Sequence, residues 1–63
     1  MTRKTIISIF NRYGYVIYRN MESGRIMVFR SDITTKFYSS YAAAYRDFNS
    51  LGLFKFLPYE ISK

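Results

Sequence analysis

Catalysis needs side chains that are paired or activated, and this chain of 63 residues has few that qualify. Its four acids are Glu22, Asp32, Asp47 and Glu60. Glu22 and Asp32 fall in turn-forming stretches, Asp47 on the polar side of a helical pattern, and Glu60 in the tail. No carboxylate pair for acid–base work is expected from that scatter. With no His and no Cys, a nucleophile would need a lysine as its base. Lys4, Lys36, Lys55 and Lys63 all read as exposed, so none is expected to serve. The missing His and Cys also remove the usual zinc ligands and any disulfide. The three glycines stand in no phosphate-binding spacing. The chain therefore reads as no enzyme, with no cofactor and no metal.

The chemistry left to such a chain is recognition. Lys and Arg outnumber Asp and Glu ten to four, a net charge of +6. That field favours acidic partners, nucleic acid, an anionic membrane surface or an acidic protein, although charge also serves solubility. Seven Tyr and six Phe accompany it. Tyr15, Arg19, Arg25, Met27 and Phe29 alternate along two strand-like segments, which sorts them onto one sheet face, with Lys36 outward on the next strand. Arginines there suit phosphates, and the rings suit bases or sugars. The alternative is that this face is covered by the N-terminal segment or by a second copy of the chain, which makes Ile17, Met27 and Phe29 core. Arg3, Lys4 and Arg12 read either as a basic arm or as a solvated terminus.

The elements that must position these residues follow from periodicity. Tyr41, Ala44, Tyr45, Phe48 and Leu51 mark one face of a helix over 40–51. Ser39 or Ser40 is placed to cap its start, and Gly52 with Leu53 suits a Schellman ending against Phe48. Tyr15–Arg19 and Arg25–Arg30 are rich in β-branched and aromatic residues and read as a hairpin. A three-residue loop of Glu22, Ser23 and Gly24 places Val16, Tyr18, Ile26 and Val28 on the core face. Thr34–Tyr38 reads as a third strand, with Phe37 inward and Lys36 and Tyr38 outward. The segment Thr5–Phe10 has helical spacing at Ile6, Ile9, Phe10 and Tyr13 but strand-like composition. Strand is the favoured reading, with Asn11–Gly14 as a turn. The tail from Leu53 to Leu57 suits an edge strand that Pro58 stops. Tyr13, Tyr38 and Tyr59 read as surface tyrosines.

The expectation is one α+β domain over 1–63. It is a small antiparallel β-meander of three to four strands over about 5–38, with one amphipathic helix packed on one face and a tail over 53–63. A chain this short buries only about 60% of its unfolded surface, so aromatic mass or dimerisation must make up the margin. No membrane span is expected. The run from Thr5 to Phe10 is too short for a signal-peptide core, and the lack of cysteine fits the cytoplasm.

The step from Phe37-Tyr38-Ser39 into Ala42-Ala43-Ala44, after three strands, resembles the AP2/ERF and integrase amino-terminal DNA-binding folds. The likeness spans about Tyr15 to Gly52. It implies a three-stranded sheet that enters the major groove with a helix behind it, and Arg19, Arg25 and Lys36 as DNA contacts. The tryptophans common on AP2 sheets are absent here. From the residues alone two functions stay open: nucleic-acid binding, DNA first, through the basic aromatic face, and a protein-interaction module docking on an acidic partner. A homodimer is compatible with either.

Overall fold

The computed structural model describes residues 1–56. In chain order these form α1 (Arg3–Arg12), β1 (Val16–Arg19), β2 (Ile26–Phe29), β3 (Lys36–Tyr38) and α2 (Tyr41–Ser50). The strands make one antiparallel sheet in the order β1-β2-β3. Both helices lie on the same side of it, α1 against β1 and α2 against β2 and β3, and they touch each other. The fold is α+β, as expected, but with two helices rather than one.

The helix α2 forms as its sequence dictates. The Ser40 hydroxyl accepts a bond from the Ala43 N–H at the start. At the end Gly52 takes φ +68°. There the Leu53 N–H reaches the Phe48 carbonyl and the Gly52 N–H reaches that of Asn49, a Schellman motif. Ala44 and Phe48 are its buried residues.

The N-terminal segment is helix, not strand. Thr2 caps it through the Thr5 N–H, and Gly14 at φ +86° closes it with bonds from Tyr15 to Phe10 and from Gly14 to Asn11. Position for position this is the scheme of α2: Thr2 with Ser40, Phe10-Asn11 with Phe48-Asn49, Gly14 with Gly52. The Asn11–Gly14 stretch is therefore a helix stop and not a hairpin turn. Ile6 and Phe10 are buried one turn apart, and Ile7 and Tyr13 pack beside them. The β-branched isoleucines weaken helix propensity only slightly, and burial of one face outweighs that.

The core unites Ile6, Phe10, Tyr15, Ile17, Ile26, Val28, Ala44 and Phe48. Its centre is aromatic. The Phe10 ring meets those of Tyr15, Phe48 and Phe54 edge-on, with centroids 5.0–5.9 Å apart, the geometry that the ring quadrupole favours. Residues 53–56 form no strand. They cross the helix side as a strap, with Phe54 against Phe10, Tyr13 and Tyr45 and Phe56 against Tyr13. Tyr13 and Tyr38 are accordingly half-buried against the core rather than free on the surface. The expectations for Leu57, Pro58, Tyr59, Glu60 and Lys63 lie outside the described residues.

Candidate functional site: the uncovered sheet face

The hairpin register decides what the outer face carries. Val16 pairs with Phe29, Ile17 with Val28, Tyr18 with Met27 and Arg19 with Ile26. The loop holds four residues, not three. The Asn20 N–H bonds the Arg25 carbonyl, and the Gly24 N–H bonds the Asn20 carbonyl. The Asn20 side-chain oxygen accepts from the Glu22 and Ser23 N–H groups, and the Ser23 hydroxyl accepts from the Arg25 N–H. Those bonds close the longer loop. One residue of register turns every side chain of a strand to the opposite face. Ile17, Ile26 and Val28 therefore point to the helices, and Val16 and Tyr18 point away with Met27 and Phe29. The expectation that Val16 and Tyr18 share the core face with Ile26 and Val28 is corrected accordingly.

On β3 the expected orientation also reverses. Phe37 is 52% exposed, while Tyr38 turns inward and donates its hydroxyl to Asp47 of α2 at 2.6 Å. The pairing of Met27 with Phe37 sets Tyr18, Met27 and Phe37 in one cross-strand row, and Val16 with Phe29 in the next. Val16, Tyr18, Phe29 and Phe37 are all exposed large hydrophobic residues, and Met27 between them is half-buried. Among the described residues neither helix covers this face. It is an open platform of three rings, a valine and a methionine.

The expected site residues divide between the two faces. Arg25, Met27 and Phe29 lie together on the outer face. Tyr15 does not join them. It is only 1% exposed, sits in the core, and gives its hydroxyl to the Leu53 carbonyl; burial raises its pKa. The reason is again register, which sends Tyr15 inward with Ile17. Arg19 is exposed at the end of β1 on the helix side. Its guanidinium lies 5.8 Å from the Tyr41 ring centre and donates to the Gly24 carbonyl. Lys36 is half-buried and pairs with Val28, so it too is on the helix side.

Arg30 went unnoticed in the sequence and is the buried cation among the described residues. It forks onto Asp32 at 2.6 and 2.8 Å and donates to the carbonyls of Tyr13 and Lys55. Its guanidinium also stacks 4.1 Å from the Tyr15 ring centre. It thus ties the end of α1, the end of β2 and the C-terminal strap to one point. The bond from Arg30 holds the Asp32 carboxyl below its ordinary range. Asp32 and Asp47 are both engaged away from the platform, and Glu22 stands in the hairpin loop.

No protein-family model matches the chain, and no curated protein or solved structure matches it either. The likeness to AP2/ERF and integrase amino-terminal domains rests on the residues quoted above alone. Among the described residues no helix is long and apolar enough to cross a membrane.

Proposed function

We propose that this chain is a small non-catalytic binding protein that takes single-stranded nucleic acid on the uncovered face of its sheet. The observation that carries this reading is the exposure of Tyr18, Phe29 and Phe37 together on a face backed by two helices. Bases stack on such rings whatever their sequence, because every base has a π-face. The net charge of +6 supplies attraction to phosphates. Reading a duplex through its major groove asks instead for donors and acceptors aimed at base edges. With Arg19 and Lys36 on the helix side, Arg25, just ahead of β2, is the basic residue beside the platform. The geometry thus favours stacking on unpaired bases over duplex readout.

The test is a titration of labelled single-stranded DNA, single-stranded RNA and duplex DNA at low and at physiological salt. Micromolar binding to a single strand, weaker to the duplex and falling steeply with salt, is expected. Tyr18→Ala and Phe29→Ala should each weaken it. No single-strand binding at low salt, or equal binding to the duplex, overturns the reading.

One feature favours a second reading, a protein-interaction module. Val16 and Met27 fill the space between the rings, so the patch is apolar without a break, as the centre of a protein interface is. Such a module docks on an acidic partner or on a second copy. Capture of one protein that survives nuclease treatment supports it. A clean monomer in sedimentation removes the homodimer.

A further inference from the structure

At one end of the platform the pairing of β2 with β3 stops at Ile26–Tyr38. Arg25 and Ser39 flank that last pair, each one residue beyond its strand. Arg25, Phe37, Tyr38 and Ser39 line a groove there of about 200 Å³. That is smaller than the pockets which enclose drug-sized ligands. It suits a single phosphate and its sugar with a ring alongside.

The three arginines of the sheet region differ in what already holds them. Arg30 is saturated by Asp32 and two carbonyls, and Arg19 is engaged by Gly24 and the Tyr41 ring. The exposed side chain of Arg25 makes no hydrogen bond or ion pair among the described residues, and neither does the Ser39 hydroxyl. The Tyr38 hydroxyl belongs to Asp47. A charged fork, a hydroxyl and an exposed ring therefore converge on one groove, and the fork and the hydroxyl are unengaged.

We infer that Arg25 and Ser39 hold one backbone phosphate of a single-stranded nucleic acid whose adjoining base stacks on Phe37. Arg25, Phe37 and Ser39 line the same groove, so a phosphate between Arg25 and Ser39 leaves its own base beside the Phe37 ring. The inference rests on the single-strand reading above and assigns that surface a polarity: phosphate at the Arg25 end, bases along Tyr18, Phe29 and Phe37.

The test separates charge from stacking. An oligothymidine is titrated at several salt concentrations against the wild type, Arg25→Ala, Arg25→Lys, Ser39→Ala and Phe37→Leu. Arg25→Ala should lower the slope of log K against log salt by about 0.7, one phosphate contact on a single strand. Arg25→Lys should restore the slope. Ser39→Ala should weaken binding about tenfold, the worth of one hydrogen bond to a charged group. Phe37→Leu keeps apolar area and loses the π-face, so it should weaken binding about tenfold at unchanged slope. A wild-type slope in Arg25→Ala, with Tyr18→Ala and Phe29→Ala still weakened, overturns the phosphate site and leaves the platform standing. No binding by the wild type overturns both. Arg25 and Ser39 are exposed, and folding of their variants is checked by an unchanged circular dichroism spectrum.

Discussion

On the helix side of the sheet, Ile17, Ile26 and Val28 meet Phe10, Ala44 and Phe48 and are closed to water. On the other side Val16, Tyr18, Met27, Phe29 and Phe37 are no less apolar and stand open. The arginines divide in the same way: Arg30 is buried and bonded to Asp32 and two carbonyls on one side, Arg25 exposed and unengaged at the end of the other. An antiparallel sheet with one packed face usually carries polar residues on its second. This one keeps rings there instead. The difference teaches that the aromatic surplus is not all spent on the core. Part of it stands exposed on the outer face of the sheet.

If that contrast holds, equal truncations on the two faces must have unequal consequences. Phe48→Ala should cost about 3–5 kcal/mol, enough to empty the folded state of so small a domain in urea titration. Phe29→Ala or Tyr18→Ala should cost only about 0.2–1 kcal/mol, the scale of a cross-strand pair. Comparable losses on both faces would mean that the outer face is covered in solution.

The arginines give the next contrast. Arg30→Ala removes the partner of Asp32 and leaves the Tyr13 and Lys55 carbonyls unbonded. It should cost about 2–3 kcal/mol, through the two carbonyls, whereas Arg25→Ala should stay within about 0.5 kcal/mol. Urea midpoints of the two variants measure it.

The hairpin loop gives a smaller effect. Gly24 has φ +75°, and a Cβ there meets nothing within 4 Å. Gly24→Ala should therefore cost about 1 kcal/mol through backbone conformation alone. Cross-strand nuclear Overhauser effects between Tyr18 and Met27 should persist. A shift of those contacts to Tyr18 and Val28 would show that the loop had given way and the faces had exchanged.

Titration distinguishes the inner face last. Burial and the bond to Asp47 raise the Tyr38 pKa, and burial raises that of Tyr15. Above about pH 10 the unfolded chain loses these protons while the folded chain keeps them. The unfolded state then binds fewer protons, so stability falls as pH rises through that range. Asp32 acts in the opposite direction. Its folded pKa is lowered by Arg30, so its contribution is complete above about pH 4 and is lost as pH falls below it. Because Asp32 stands at the surface, the acid limb should be the shallower of the two. A stability profile flat to pH 12 would contradict the bond from Tyr38 to Asp47.

Much of the fold is legible in the residues themselves. The Ser40 cap, the Tyr41–Ala44–Phe48 spacing and the Gly52–Leu53 stop specify α2 without help from the rest of the chain. The three strands show in their β-branched and aromatic runs. The same capping grammar stands at Thr2 and at Phe10-Asn11 with Gly14, and it was the available sign that the first segment is a helix. Strand-like isoleucines mask it, since a short apolar run is ambiguous until its packing partner is known. The candidate site was half legible. Arg25, Met27 and Phe29 emerge from alternation along residues 25–29, whereas Val16, Tyr18 and Phe37 were read as inward. The sign that reverses the β1 residues is Asn20, whose side chain closes the longer hairpin loop.

The sequence by itself determined the chemistry that this protein has to work with: a basic, ring-rich chain without His or Cys, capped helices and the strand runs of a meander. Caps, turns and periodicity act within a few residues, so they can be read one segment at a time. Tertiary structure alone decided that the first segment folds as a helix against β1, that Arg30 is drawn inside by Asp32, Tyr13 and Lys55, and which rings face water. Those outcomes depend on contacts between residues far apart in the chain, and on a sheet whose period of two makes one residue of loop length choose the face.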